Sequence, residues 1–315
     1  MVADEETTGR VRRLLAMVRS IKAYGQSRGL RPTRNYDTYA ELHRSAAVWV
    51  VEACAPLAFE QKRWRFPLIG SIPYLGFFDE EAARKLAASL EKEGLDAEVR
   101  TAAAFSTLGW FKDPVLSTMI PAGDQALGEL ADIVLHESVH ATLYVKNQSA
   151  FNESLASFVA DRLTPPWLAA TVGPRAPETE VWVAAQALHR RWLVRLHRAY
   201  LELDALYRSS LTDRAKREEK ATLLASLRAE FGFAGTLNNA TLAGYRTYDS
   251  GVPSFERLLA RCEGSWPRML RTLARLGEED FGKPQQEEFG EVIDRLALRG
   301  CAEMDERPPA RLTLR

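Results

Sequence analysis

Cysteine is scarce in this chain. Cys54, Cys262 and Cys301 are the only three among 315 residues, and they lie far apart. An odd, dispersed set excludes a disulfide-stapled scaffold and a cysteine-built zinc finger, so all three read as core or surface thiols. None has a histidine or asparagine near it in sequence to suggest a nucleophile. Net charge is also missing: 42 Lys and Arg balance 42 Asp and Glu. No overall field draws the chain onto nucleic acid or an anionic membrane, and neither is expected as a partner. No apolar run approaches the roughly 18 residues that a membrane-spanning helix needs. The opening MVADEETTGRVRRLL holds no apolar core before a cleavage site, so no export leader is expected within it. What is present is 46% hydrophobic residues over this length, enough to bury a sizeable core.

Periodicity organises the rest. VRRLLAMVRSIKAYGQSRGL repeats apolar residues at three and four and meets Gly29, which predicts a helix and its stop. RPTRNYDTY is turn-rich, and SAAVWVVEACAPLAF is an apolar run that is either helical or extended. RFPLIGSIPYLGFF suits one or two short strands with turns. DEEAARKLAASLEKE, residues 79–93, is a helix with acids at its start and Gly94 at its end. LDAEVRTAAAFSTLGWF and PVLSTMI read as strands, and helices follow, among them a long charged stretch from about Glu178 to Phe231. RAKREEKATLLASLRAE reads as a solvated, mixed-charge helix face with no function. No internal repeat is present. The expectation is an α+β, predominantly helical fold: residues 1–175 carry N-terminal helices and a core with a small sheet, and residues 176–315 form a helical C-terminal part.

One segment carries chemistry. ELADIVLHESVHATLYVKNQSAFNESLASFVADRL, residues 129–163, contains His136, Glu137 and His140 as HESVH. Histidines four apart share one face of a helix and can both reach a metal. With only 5 histidines in the chain, a chance HExxH has odds of about one in a hundred. Ile133, Val134, Leu135, Val139, Leu143 and Tyr144 surround the motif in nearly every direction, the mark of a buried helix rather than a solvated His pair. A carboxylate buried beside two imidazoles needs compensation, which a divalent metal and a water-filled cleft supply. A tetrahedral catalytic site needs a third protein ligand. Glu153 in FNESLASFVA is the best candidate, since the small Ala156, Ser157 and Ala160 share its helix face and let two helices approach. The competing reading of Glu153 is a charge placed to suit a helix N-terminus. His43, His189 and His197 lie among charged residues and read as solvated or structural.

The pattern resembles the bacterial "putative aminopeptidase" family of HExxH zinc peptidases, in the peptidase MA, gluzincin-like group. The likeness runs through RFPLIGSIPYLGFFD, FSTLGWFKDPVLSTM, LHESVHATLYVKNQSAFNESLASFVA and LNNATLAGYRTYDSGVPSFERLL, from about residue 10 to 270. It implies a zincin-like fold with the sheet beside the HExxH helix. It also implies one Zn2+ on His136, His140 and Glu153, Glu137 as general base, and a peptide substrate. Relatives commonly begin with an export or lipoprotein signal, which this sequence does not show at its start. The implied location is exported or periplasmic if a leader was removed, and cytoplasmic otherwise.

A transition-state oxyanion needs a donor. Tyr245 and Tyr248 in TLAGYRTYDS are the candidates, and the likeness favours Tyr248, although either tyrosine suits a core position. STLGWFKDP is the candidate substrate strand, because a peptide binds economically by adding to a sheet edge. There Gly109 permits close approach, Trp110 or Phe111 can wall a pocket, and Asp113 is the candidate partner for a substrate α-amine. A buried strand with core aromatics fits the same residues. Two rival readings stand beside an aminopeptidase: a zinc endopeptidase with an open cleft, and a silent zincin-like binding module. The intact set of His136, Glu137, His140 and Glu153 weighs against the latter. Nothing in the residues specifies an oligomeric state.

Overall fold

The computed structural model describes residues 8–66, 70–104, 112–233, 235–246 and 251–303. The fold is α+β and predominantly helical, with three small sheets among the described residues. Contacts divide the chain into two compact units. The first comprises Met1–His43, Ser106–Ala185 and Asp249–Arg315, and the second Arg44–Phe105 and Gln186–Tyr248.

In the first unit, helix α1 (Gly9–Ser27) starts where the Thr8 hydroxyl accepts from the Val11 amide. It stops at Gly29, whose φ of +95° suits glycine, and a Cβ there would meet the Pro267 backbone at 2.8 Å. Strand β1 (Tyr39–Ala40) pairs in parallel with β7 (Val115–Leu116). PVLSTMI, expected as a strand, supplies only those two strand residues before a 3-10 turn at Ser117–Met119. Two side chains end the extension: Met119 Sδ accepts from the Leu116 amide, and Ser117 Oγ accepts from the Leu42 amide.

Helices α3 (Ala126–Thr142) and α4 (Ser149–Thr171) form the centre of this unit, with α1 against α3. No residue of α3 is exposed, as its all-round apolar pattern requires. A Cβ at Gly128 would run into the Trp182 indole, so that glycine is what lets α3 meet the start of α5 (Pro177–Arg208). On its far side α4 docks through Phe151 and Phe158. Phe151 meets Phe281 and Phe289 at 5.4 and 5.6 Å between ring centroids, and Phe158 meets Phe255 at 5.3 Å. Phe255 belongs to α8 (Val252–Arg261), which packs against α9 (Trp266–Leu273) and α10 (Gly290–Leu298).

The expectation of three thiols is corrected here. Cys262 caps the end of α8, Cys301 follows α10, and the two form a disulfide with their Cα atoms 5.5 Å apart. Their separation of 39 positions carries no local pairing signal; the packing of α8 on α10 creates the juxtaposition. Cys54 alone stays a thiol, buried, with its pKa pushed up to about 12 chiefly by that burial.

In the second unit, β2 (Val48–Cys54) is the middle strand of an antiparallel sheet, between β5 (Tyr74–Phe77) and β6 (Asp96–Ala102). β3 (Trp64–Phe66) and β4 (Gly70–Ile72) form a separate antiparallel pair. Helix α2 (Glu80–Lys92) is capped by Asp79, which accepts from the Ala82 amide at 2.7 Å. Its Ala83, Ala87 and Leu90 pack on Trp49, Val51, Ala53 and Ala97 of the sheet. The remainder of α5 and α6 (Asp213–Phe231) bury Leu196, Leu203, Leu224 and Leu227 with Tyr200 and Tyr207. α7 (Asn239–Ala243) sits on β2 and β6. Lys220 departs from the expected solvated face: it is buried and paired with Asp96.

Glu98 and Glu52 stand directly opposite on β6 and β2. Burial pushes the Glu98 carboxyl up to about 7, helped by the Glu52 charge and opposed by the Thr241 hydroxyl and Arg100. The folded state therefore holds a proton that the unfolded chain has released by about pH 5. Stability falls as pH rises from about 4.5 to 7 and is level beyond. Glu98→Gln is expected to raise stability by about 1–2 kcal/mol at pH 8 and to change it little at pH 4.5. Urea unfolding at the two pH values measures this, and an equal effect at both would contradict the assignment.

Candidate metal centre

The last two turns of α3 present His136, Glu137 and His140. The chain then reverses through a short connector, and Asn152 fixes the reversal. Buried on α4, it accepts from the Val145 amide at 2.9 Å and donates to the Val145 carbonyl at 2.8 Å. That pair of hydrogen bonds ties the residue before Glu153 to the connector from α3. His136 Nε2 lies 3.2 Å from His140 Nε2 and 3.3 Å from Glu153 Oε2, and His140 Nε2 lies 3.5 Å from Glu153 Oε1. The imidazole rings stand edge to face, 80° apart in plane. Among the described residues these three side chains form a group that can hold a metal ion. A tetrahedron with bonds of about 2.1 Å has edges of about 3.4 Å, so the observed separations match a shared four-coordinate ion.

Access is graded across the group. The His140 side chain is 5% exposed, that of His136 22% and that of Glu153 65%, so the site opens on the carboxylate side. Burial alone would lower the pKa of His136, but the bond and charge of Glu153, with Glu137 and Asp132, raise it. Partial desolvation works against the Glu153 anion, yet bonds from both imidazoles hold its carboxyl well below the usual carboxylate range. Surroundings that favour positive charge on imidazole also favour a divalent cation in its place. Asp132, one turn before His136, is pushed up to about 7, first by burial and then by the Asp161 charge; the Thr164 hydroxyl donates to it at 3.5 Å.

Glu137 is partly buried, and its Oε2 has no hydrogen-bond partner among the described residues. Tyr36, which sequence reasoning left inside a turn, lies in the field of this carboxylate. It has φ of 64° and is 3% exposed. The left-handed region costs a bulky residue on the order of 1–2 kcal/mol, a strain that surrounding structure must hold. Only the aromatic residue in a polar turn, NYD, could have signalled it.

Other expected site residues fall as follows. Asp113 is buried at 5% exposure; its amide donates to Asn35 Oδ1 and its carbonyl accepts from the Tyr36 amide at 2.6 Å. Gly109, Trp110, Phe111 and Tyr248 lie outside the described residues. Tyr245 belongs to the second unit and packs against its core cluster. Burial raises its pKa, as does the charge of Glu98. The two asparagines of the LNNATLAGY stretch have structural work. Asn238 caps α7, while Asn239 accepts from the Tyr207 hydroxyl and donates to the Ala55 carbonyl. His197 is structural as expected, its Nδ1 2.8 Å from the Tyr245 carbonyl.

An HExxH helix joined through a short reversal to a helix that brings a glutamate onto the two histidines defines a chain with a candidate metal centre. It belongs to the family described as "Putative aminopeptidase", whose family model matches residues 1–288. Comparison with curated proteins and with solved structures gave no match. No helix among the described residues is long and apolar enough to cross a membrane.

Proposed function

We propose that this chain is a zinc-dependent aminopeptidase that holds one Zn2+ on His136, His140 and Glu153. The observation that carries the reading is the set of three ligand separations, 3.2, 3.3 and 3.5 Å, beside a partly buried Glu137. Two imidazoles and one carboxylate are a donor set suited to catalytic zinc. Zinc held there would lower the pKa of a coordinated water towards about 7 and polarise a scissile carbonyl. Glu137 follows His136 directly, so its side chain leaves the helix about 100° away and faces the attacking water instead of joining the ligands. It takes the proton as the water oxygen bonds to the carbonyl carbon, then passes it to the leaving amine when the C–N bond breaks. Tyr248 remains the preferred donor to the oxyanion, with Tyr245 the alternative. Gly109, Trp110 and Phe111 remain the proposed substrate strand. Asp113 is the proposed partner of the substrate ammonium, which needs a carboxylate once it leaves water.

The Cys262–Cys301 disulfide supports an exported or periplasmic working location, since such bonds persist in oxidising compartments. A short peptide with a free N-terminus, and the same peptide N-acetylated, decide the exopeptidase reading. The zinc-loaded protein should release single N-terminal residues in steps from the free peptide and leave the acetylated one intact, as followed by mass. Equal internal cleavage of both would make it an endopeptidase. Zinc binding without cleavage of either would leave a binding module.

A further inference from the structure

Residues 8–43 hold eight Lys and Arg against two acidic residues, in a chain whose charges cancel overall. Part of that positive charge borders a groove. A cavity of about 720 Å³ lies beside α1, lined by Leu15, Arg19, Lys22 and Gln26 of the helix and by Thr33 and Asp37 of the turn that follows it. The four helix residues are spaced by four, three and four, so they stack on one face and give the groove a length of about 16 Å. Ala16 and Ala23 also line it, and their methyl groups leave room above the helix. The far wall is fixed in advance. Lys22 donates to the Asn35 carbonyl at 2.6 Å and pairs with Asp37 at 2.7 Å, and the Tyr36 amide donates to the Asp113 carbonyl at 2.6 Å. A preformed wall spares a ligand the cost of ordering it.

The Lys22 pair cancels the acid of the lining and leaves Arg19 as its uncompensated charge. Arg19 is exposed and has no partner among the described residues; the same holds for Arg13, earlier on the helix, and for Arg34, next to Thr33. The Gln26 amide and the Thr33 hydroxyl make no hydrogen bond among the described residues either. None of the exposed large apolar side chains lies in this stretch. It therefore offers no anchor to a bilayer and no open ring on which single-strand bases could stack. A concave slot with unpaired guanidinium, amide and hydroxyl groups suits an extended chain that brings its own carboxylates. About five residues of extended peptide span such a length.

We propose that the α1 groove binds an extended acidic peptide segment. Its carboxylates meet Arg19 and the flanking Arg13 and Arg34, and its backbone meets Gln26 and Thr33. None of the three candidate metal ligands is among the lining residues. Binding here needs neither zinc nor cleavage, so it goes beyond the peptidase reading and does not depend on it.

The test uses the full chain in EDTA, so that neither metal coordination nor hydrolysis contributes. The probe is a fluorescein-labelled peptide Gly-Glu-Asp-Glu-Glu-Gly, amidated at its C-terminus and followed by anisotropy; its counterpart carries Gln and Asn in place of the acids. The parent protein is expected to bind the acidic peptide about tenfold or more tighter than the counterpart, and to lose about fivefold when salt rises from about 0.05 to about 0.3 M. Arg19→Glu should weaken binding about tenfold. Ala23→Trp fills the groove without altering charge and should weaken it by about as much. Arg217→Glu on α6 makes the same charge change elsewhere and should stay within about twofold. All three positions are exposed, and melting temperatures confirm that each variant folds. A parent protein with no preference for the acidic peptide would overturn the proposal, whatever the variants do. Equal losses from Arg19→Glu and Arg217→Glu would overturn it, because overall charge would then decide binding. Full binding by Ala23→Trp would reduce the groove to a diffuse patch and overturn it too. Displacement of the probe by an oligothymidine strand or by phosphatidylglycerol vesicles at lower concentration than by unlabelled peptide would assign the surface to that class instead.

Discussion

Glu137→Gln is expected to fold, to keep its zinc, and to lose activity by about 10²- to 10⁴-fold, the range that a positioned general base supplies. The amide matches the carboxylate in shape, so the packing of α3 is unchanged, but it cannot accept the proton of the attacking water. The loss should fall on kcat, because proton transfer belongs to the transition state and not to substrate binding. Steady-state kinetics alongside zinc analysis separate this from an unfolded or emptied protein. Activity within about tenfold of the parent would remove Glu137 from the role.

Glu153→Ala is expected to have the other large effect, on the metal itself. The side chain is two-thirds exposed and sits in a helix, where alanine is well tolerated, so the variant should fold. It leaves two imidazoles 3.2 Å apart with no carboxylate between them and the solvent. Zinc affinity should fall by more than about a hundredfold, beyond the loss typical of outer-shell changes. After dialysis against metal-free buffer the variant should be nearly zinc-free while its melting temperature stays near that of the metal-free parent. Retention of one zinc per chain would show that another residue is the third ligand.

The parts of the site that were legible in the sequence are those that helix geometry places. HESVH and FNES sit on helices whose apolar flanks announce their burial, and a short reversal leaves little choice about which faces meet. The role of Asn152 in that reversal was not legible, because an asparagine beside a ligand says nothing of which backbone groups it will hold. Tyr36 escaped notice for a similar reason. Its amide is held by the carbonyl of Asp113, 77 positions away, and a polar turn gives no hint of that partner. The disulfide was misread because pairing over 39 residues depends on α8 and α10 lying side by side. PVLSTMI has strand-like composition, yet its serine and methionine turn back on the chain and close the strand after two residues. SAAVWVVEACAPLAF, ambiguous by composition, is extended because Trp49, Val51 and Ala53 alternate onto α2.

The Cys262–Cys301 bridge closes a ring that contains α9, α10, Phe281 and Phe289. A loop of that size takes about 4 kcal/mol of entropy from the denatured chain on a loop-closure model. The oxidised denatured ensemble is accordingly more compact, and its unfolding should show a shallower dependence on denaturant than that of the reduced chain. Phe281 and Phe289 of that ring pack on Phe151, two residues before Glu153. The segment that α4 docks against is therefore confined to a closed loop before folding begins. Thiol chemistry at Cys262 and Cys301 thus reaches the helix that carries Glu153 through chain statistics.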